Sequence, residues 1–276
     1  MPVEALTART DDGVVLAVSV EGTGPPLLLI PGLGATRRVF EPLTPHLAGR
    51  YRVITFDPRG VGDSEAGEAA LTLALLAADA ESVLLSVGVQ RADVLGASMG
   101  GVVAQHLAIS GGEYVRALLL AATSPGGDKA VPADPRVTAA LMGKGARTPE
   151  AAYRMACTVL YSPQFQRTHR DFIDEQVRVR AAHPVRGRTF SAQLRALETG
   201  ADIVDDLRRI TAPVLVMHGT ADAVTPIENA HVLAAVIPGA RHRWFQDCGH
   251  LFFHERPAES ARVIDEFLRD LDQASL

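Results

Sequence analysis

A serine lies between two glycines in the segment "GASMG", where Ser98 has Gly96 two residues before it and Gly100 two residues after it. The segment joins an apolar run of strand length to an Ala- and Val-rich run with helical spacing. Glycines at these positions allow a strand and a helix to cross closely, which holds the serine at the tip of a sharp turn. The pattern predicts a strained serine at a helix N-terminus, which is suited to nucleophilic attack in acyl transfer.

A serine hydroxyl needs a general base at neutral pH, and imidazole is the side chain whose pKa suits this task. Of the nine histidines, we favour His250, which follows a glycine in the loop "QDCGHLFFHERP" after the last predicted strand. The carboxyl ends of parallel strands carry the functional loops of such sheets. His254, four residues further on, is the rival candidate.

An imidazole base in turn needs a carboxylate that fixes its tautomer. The predicted strand "PVLVMHG" runs into "TADAVTP", which places Asp222 in a loop at the same end of the sheet. Asp247 is closer to His250 in sequence, but a loop neighbour three residues away seldom has the geometry to bond the ring. We therefore predict a triad in the chain order Ser98, Asp222, His250.

Acyl transfer also needs hydrogen-bond donors for the oxyanion of the tetrahedral intermediate. We predict that one donor is the backbone N–H of Met99, directly after the serine. The second predicted donor is the N–H of Leu33 in "IPGLGAT", where Gly32 and Gly34 free the backbone beside a strand end. A purely structural turn is the alternative interpretation of this segment.

Apolar runs of strand length alternate with helix-period segments along the chain, and continuous hydrophobicity indicates strands that are covered on both faces. This alternation predicts an α/β fold whose mostly parallel central sheet carries helices on both faces, with an antiparallel hairpin near the start. The predicted strands cover residues 14–20, 25–30, 52–56, 92–95, 115–122, 213–219 and 242–245.

The strand pattern stops between residues 125 and 200, where helix-period segments alternate with Pro and Gly. We predict a core domain of residues 1–124 and 201–276 and a helical cap of residues 125–200. Residues 126–200 hold twelve Lys or Arg against seven Asp or Glu, in a chain of net charge −5. A basic cap predicts electrostatic steering of a substrate that carries a carboxylate. A solvated helical surface is the alternative.

The overall composition excludes several classes of protein. Net charge is −5 without a block of like charges, so neither nucleic acid nor a membrane surface is an expected partner. The two cysteines, Cys157 and Cys248, lie far apart, which argues against a disulfide scaffold or a zinc site. No segment has the apolar length of a signal peptide or a membrane span. We expect a cytoplasmic protein without a metal or cofactor, and a homo-oligomer remains open.

Five segments in this order resemble the α/β-hydrolase superfamily: "LLIPGLGA", "FDPRGVGDSE", "GASMGG", "HGTADAVTP" and "GHLFFHERP". The resemblance covers nearly all of the chain except the cap. The family usually has His-Gly at the oxyanion turn, whereas this chain has Pro31 before its glycine, a variant that leaves the backbone donor in place. In the second segment, the resemblance makes Asp57 and Arg59 members of a structural loop rather than of the site.

The resemblance implies hydrolysis without metal or cofactor, in which Ser98 attacks, His250 takes and returns the proton, and Asp222 orients the imidazole. A serine nucleophile argues against dehalogenation and epoxide opening. The one-piece cap is similar to that of the carboxylesterase and enol-lactonase branch, so the expected substrate is a small or medium ester or lactone. Hydrolysis of a carbon–carbon bond and cofactor-free perhydrolysis are alternatives on the same triad. A ligand-binding receptor on this fold is an alternative from another class.

Overall fold

The computed structural model describes residues 3–200 and 203–274 of the chain. Eight strands within this part form one sheet in the spatial order β1-β2-β4-β3-β5-β6-β7-β8. Their bounds are β1 Val3–Arg9, β2 Val15–Glu21, β3 Pro26–Ile30, β4 Arg52–Phe56, β5 Ala92–Ala97, β6 Val115–Ala121, β7 Val214–Gly219 and β8 Arg241–Phe245.

The strand directions confirm the predicted mostly parallel sheet. β2 pairs antiparallel with both β1 and β4, and every pair from β4 to β8 is parallel. Strand β1 was not predicted from the sequence. This strand lies at the edge of the sheet, and Ala8 is its one buried residue, so it carries too little apolar pattern to be recognised.

Twelve α-helices occur in the described part of the chain. Their bounds are α1 Thr44–Leu47, α2 Leu73–Ser86, α3 Met99–Ser110, α4 Pro135–Leu141, α5 Pro149–Leu160, α6 Pro163–Thr168, α7 Arg170–Ala182, α8 Gly187–Gly200, α9 Val204–Leu207, α10 Glu228–Val236, α11 Phe252–Glu255 and α12 Pro257–Ala274. Within residues 3–200 and 203–274, none of the helices combines the length and apolar character that crossing a bilayer requires.

Helices cover both faces of the sheet, which explains why its strands read as continuous apolar runs. Leu28 and Ile30 of β3 belong to a core that also contains buried residues of α2, α3 and α10. Leu27 and Leu29, which point to the opposite face, belong to a second core with buried residues of α1, α11 and α12. The loops that follow the parallel strands therefore meet at one edge of a sheet that is covered on both faces.

Helices α4 to α8 lie between β6 and β7 in the chain, and residues 125–200 are called the cap segment below. Three of these helices begin with proline at the first helical position and a capping side chain just before it. The caps are Asp134, Thr148 and Ser162, each of which accepts a hydrogen bond from a backbone N–H of the first turn. Local chemistry therefore sets where these helices start, and the division into core and cap domains remains a prediction.

Candidate active site

Ser98 lies between the end of β5 and the start of α3 with φ 56° and ψ −124°, a conformation that residues other than glycine rarely adopt. A Cβ atom on Gly96 would lie 2.2 Å from the carbonyl oxygen of Gly100, and a Cβ atom on Gly100 would lie 2.1 Å from that of Ile30. Both contacts are with backbone, which cannot move aside. The predicted close crossing and the predicted strain at the serine are therefore confirmed.

The strained conformation is held by the neighbouring strand β6 and the residues after it. The N–H of Ser98 donates to the carbonyl of Ala121 at 2.9 Å. The hydroxyl of Thr123 donates to the carbonyl of Ser98 at 2.7 Å. Backbone strain of this kind costs about 1–3 kcal/mol and persists only where surrounding contacts fix it. These two hydrogen bonds supply that fixation on both sides of the serine.

Two backbone N–H groups border the serine. Met99 follows it directly, and the turn that contains Leu33 contacts it, since a Cβ atom on Gly32 would lie 3.0 Å from the Ser98 Cβ. Within the described residues, neither the Leu33 amide nor the Met99 amide has a hydrogen-bond partner. Unpaired donors beside a nucleophile are what an oxyanion requires.

The structure brings Asp222 and His250 together. The Nδ1 atom of His250 lies 2.8 Å from Oδ2 of Asp222. A carboxylate can only accept, so the hydrogen of the neutral ring is on Nδ1 and the lone pair is on Nε2. The other carboxylate oxygen accepts the backbone N–H groups of Val224 and Thr225, both at 2.9 Å. The carboxylate is thereby fixed in position, and it fixes the tautomer of the imidazole.

A second imidazole, His218 at the end of β7, also contacts this carboxylate, a contact that was not predicted from the sequence. Its Nε2 atom lies 2.7 Å from the carbonyl oxygen of Thr225 and 3.2 Å from Oδ2 of Asp222. Burial opposes ionisation of Asp222, but its electrostatic attraction to the His250 imidazole and hydrogen bonds from both imidazoles outweigh it and lower the pKa of Asp222 to about 2. Asp222 is therefore ionised at neutral pH.

His254, the rival base, has both ring nitrogens engaged elsewhere. Its Nε2 atom lies 2.6 Å from the carbonyl oxygen of Val39, so Nε2 carries the hydrogen. Its Nδ1 atom lies 2.9 Å from the hydroxyl of Tyr161, which must be the donor. Burial lowers the pKa of His254 to about 4. No free nitrogen remains on this ring to accept a proton from Ser98.

Asp247, the rival carboxylate, lies in a tight turn with φ 58°. Its backbone N–H donates to the hydroxyl of Thr220 at 2.9 Å. The Nδ1 atom of His250 is engaged by Asp222 rather than by Asp247. The residue nearer in sequence is thus not the partner of the imidazole.

The loop that carries His250 is tied to the cap segment through Glu255. This carboxylate accepts the backbone N–H of Gly249 at 3.0 Å, and it also accepts the N–H of Ser162 at 2.7 Å and its hydroxyl at 2.6 Å. The N–H of Leu251 donates to the carbonyl of Leu160 at 3.0 Å. The imidazole is therefore held from both sides of its loop.

Ser98 and His250 line one cavity of about 280 Å³, and no hydrogen bond joins the Ser98 Oγ to the imidazole within the described residues. In unliganded sites this bond is often long and tightens when substrate binds. The opposite wall of the cavity consists mainly of apolar side chains from the cap segment. These include Leu141, Ala156, Leu160, Phe190, Leu194 and Leu197.

Asp57 and Arg59 do not pair with each other. Arg59 is buried and forms ion pairs with Asp79 and Asp12. Asp57 pairs with Arg37. Neither side chain lines the cavity that contains the serine, which agrees with the structural role that the resemblance implies.

The family model described as "alpha/beta hydrolase fold" matches residues 25–257, so the chain belongs to the α/β-hydrolase family. Among its relatives is a Mycobacterium tuberculosis protein named "Putative non-heme bromoperoxidase BpoC", 31% identical over 88% of this chain and 93% of that protein. The pimeloyl-[acyl-carrier protein] methyl ester esterase of Aeromonas hydrophila is 30% identical over 92% of this chain and all of that protein. A solved thermophilic esterase from Thermogutta terrifontis superimposes with a TM-score of 0.82 at 26% identity, covering 97% and 98% of the two chains.

Proposed function

We propose that this chain is a serine hydrolase that cleaves carboxylic esters or lactones of small to medium size through an acyl-enzyme. One observation carries the proposal. A strained serine at a helix N-terminus shares a cavity with an imidazole whose Nδ1 hydrogen is committed to a buried carboxylate. The esterase names of the relatives support ester cleavage, and a cavity of about 280 Å³ suits a substrate of modest size.

The proposed reaction has two halves, acylation of Ser98 and hydrolysis of the acyl-enzyme, and both halves use the same residues. His250 Nε2 accepts the hydroxyl proton of Ser98 while Oγ attacks the carbonyl carbon, and the new oxyanion accepts hydrogen bonds from the amides of Leu33 and Met99. Ionised Asp222 stabilises the imidazolium. His250 then protonates the departing oxygen, and the carbon–oxygen bond of the ester breaks. Water attacks the acyl-enzyme by the same route, releasing the acid and restoring the serine.

Hydrolysis of short-chain p-nitrophenyl esters tests this proposal. We expect turnover by the wild-type protein and a loss of kcat of about 10⁴-fold or more in Ser98→Ala. A fluorophosphonate probe should label the wild-type protein at Ser98, as mapped by mass spectrometry, and should not label the variant. An unaffected variant would contradict the role of Ser98. A wild-type protein that neither turns over nor reacts with the probe would favour a ligand-binding receptor.

Perhydrolysis is a second candidate because one relative is named a non-heme bromoperoxidase. Hydrogen peroxide would replace water as the group that attacks the acyl-enzyme, and the product would be a peracid instead of a carboxylic acid. Peracid formation in the presence of a short-chain ester and peroxide distinguishes the two reactions. Rapid ester hydrolysis without peracid formation leaves hydrolysis as the activity.

A further inference from the structure

Both polar backbone groups of Gly34, in the turn beside Ser98, are bound by side chains of the cap segment. The N–H of Gly34 donates to Oε1 of Gln193, which lies on α8, at 2.7 Å. The carbonyl of Gly34 accepts a hydrogen bond from the guanidinium of Arg180, which lies on α7. Two cap helices thus hold one residue of a core turn through polar contacts.

This turn also carries the N–H of Leu33. The N–H of Ala35 donates to the carbonyl of Gly32 at 3.0 Å, which closes the turn, and Gly34 has φ 59°. A Cβ atom on Gly34 would lie 2.8 Å from a ring carbon of Phe190, so the cap packs directly on the turn. Since the peptide groups on both sides of Gly34 are bound by side chains, the direction of the preceding amide is restricted.

Packing alone does not account for Gln193. The residue is fully buried, and its Nε2 group has no hydrogen-bond partner among the described residues. An unpaired buried donor is unfavourable, and an apolar side chain of similar length would avoid it. The amide is nevertheless present, with its oxygen placed on the Gly34 N–H. Its role is to accept that hydrogen bond.

Arg180 likewise has no surface ion pair to explain it. Its guanidinium lies 5.5 Å from the ring centroid of Tyr153, and the side chain lines the cavity. Among residues 3–200 and 203–274, no carboxylate forms an ion pair with Arg180. By contrast, Arg178 on the same helix is exposed and pairs with Glu175 at 2.8 Å. The polar contact that Arg180 makes with the protein is directed to the turn.

We propose that Arg180 and Gln193 are positioning residues that hold the turn so that the Leu33 N–H faces the developing oxyanion. The cap segment then contributes to transition-state stabilisation as well as to the cavity wall. This inference rests on the proposed hydrolase function. Because the two side chains act through the turn, their loss lowers kcat and leaves KM nearly unchanged.

The first test compares Arg180→Met and Gln193→Met with Arg178→Met as the matched control, using p-nitrophenyl butyrate. Small displacements of catalytic groups cost up to about 10²-fold, so we expect kcat to fall about tenfold to 10²-fold in the first two variants, with KM within about twofold. The inhibition constant of a trifluoromethyl ketone, which forms a tetrahedral adduct with the serine, should weaken by the same factor. Arg178→Met should behave as wild type.

The conservative variants keep the test sharp if a methionine disturbs folding. Gln193→Glu retains an oxygen that accepts the Gly34 N–H, and Arg180→Lys retains a donor, so each should lose less kcat than its methionine counterpart. An unchanged kcat in both methionine variants would overturn the proposal. A raised KM with unchanged kcat, or a loss confined to esters that carry a carboxylate, would instead make Arg180 a substrate-binding residue and also overturn it.

Hydrogen exchange measures the contact without reference to activity. Peptides that cover residues 31–36 should exchange faster in Gln193→Met than in wild type. The same difference is expected between the Ser98→Ala single variant and the Ser98→Ala, Gln193→Met double variant. Unchanged exchange would show that the contact does not hold the turn. Faster exchange in a protein whose Ser98→Ala variant keeps full activity would overturn the hydrolase function and the oxyanion role together, while leaving the contact itself established.

Discussion

The two sides of the cavity are built by different physical means. Its floor includes Ser98, His250 and the turn at Leu33, which are held by strand ends, backbone contacts and one buried carboxylate, and two cap side chains bind the turn. Its roof consists of the cap-segment side chains that line the cavity, and these are mainly apolar surfaces of helices. Hydrogen bonds fix the floor, whereas packing of mainly apolar side chains forms the roof. We therefore expect substitutions of the floor residues to change the rate of the chemical step most, and substitutions of the apolar roof residues to change substrate preference most.

Among the three tests of this contrast, the largest effect is expected from Asp222→Asn in the floor. An asparagine that donates its amide hydrogen to Nδ1 would place the ring hydrogen on Nε2, where the lone pair is needed. We expect kcat for p-nitrophenyl esters to fall about 10³- to 10⁴-fold with the fold intact. Asp247→Asn, the matched control in the same loop as His250, should change kcat by less than about twofold. The reverse ranking of these two variants would assign the carboxylate to Asp247.

Glycine-to-alanine changes compare the rigidity of the two sides directly. In Gly100→Ala the new Cβ would meet the carbonyl oxygen of Ile30 at 2.1 Å, a backbone atom that cannot yield. We expect the free energy of unfolding to fall by about 3 kcal/mol. Gly187→Ala at the start of α8 has no atom within 4 Å of the new Cβ, so stability should be unchanged or rise by up to about 1 kcal/mol. Urea unfolding of both variants checks the contrast, and equal losses would contradict it.

The floor was largely predictable because local sequence determines it. Gly96 and Gly100 mark the crossing of β5 and α3, and loops after parallel strands necessarily meet at one rim of the sheet. Asp222 and His250 therefore came together as expected. The contact of His218 with the carboxylate was not predicted, because it depends on how the loop after β7 turns back and hydrophobic patterning carries no information about that turn.

The roof was predictable only as helices. Proline and capping residues fix where α4, α5 and α6 begin, and these signals are local. Which face of a helix meets the core depends on tertiary packing. Arg180 is one of twelve cap cations, and nothing in its sequence neighbourhood separates it from exposed Arg178. The basic composition that predicts steering could not show which cation lines the cavity.

His254 joins the two sides, because its ring contacts Val39 of the core and Tyr161 of the cap segment. Burial lowers its pKa from 6.5 to about 4, so the folded protein favours the neutral ring. The contribution of the neutral His254 ring to the free energy of unfolding is complete above pH 6.5, the pKa of His254 in the unfolded chain. It is lost as the pH falls from 6.5 towards 4. Between pH 7 and pH 5 we expect it to account for about 2 kcal/mol of lost unfolding free energy.

Urea unfolding at the two pH values checks this expectation, which is the smallest of the three. The glutamine in His254→Gln cannot titrate. The loss of unfolding free energy between pH 7 and pH 5 should therefore be smaller in this variant than in wild type, by about 2 kcal/mol. Tyr161→Phe should keep the full pH dependence, because burial and not the hydroxyl lowers the pKa of His254. If His254→Gln retained the wild-type pH dependence, protonation of this ring would not weaken the contact between floor and roof. The loss on acidification would then have to come from other groups.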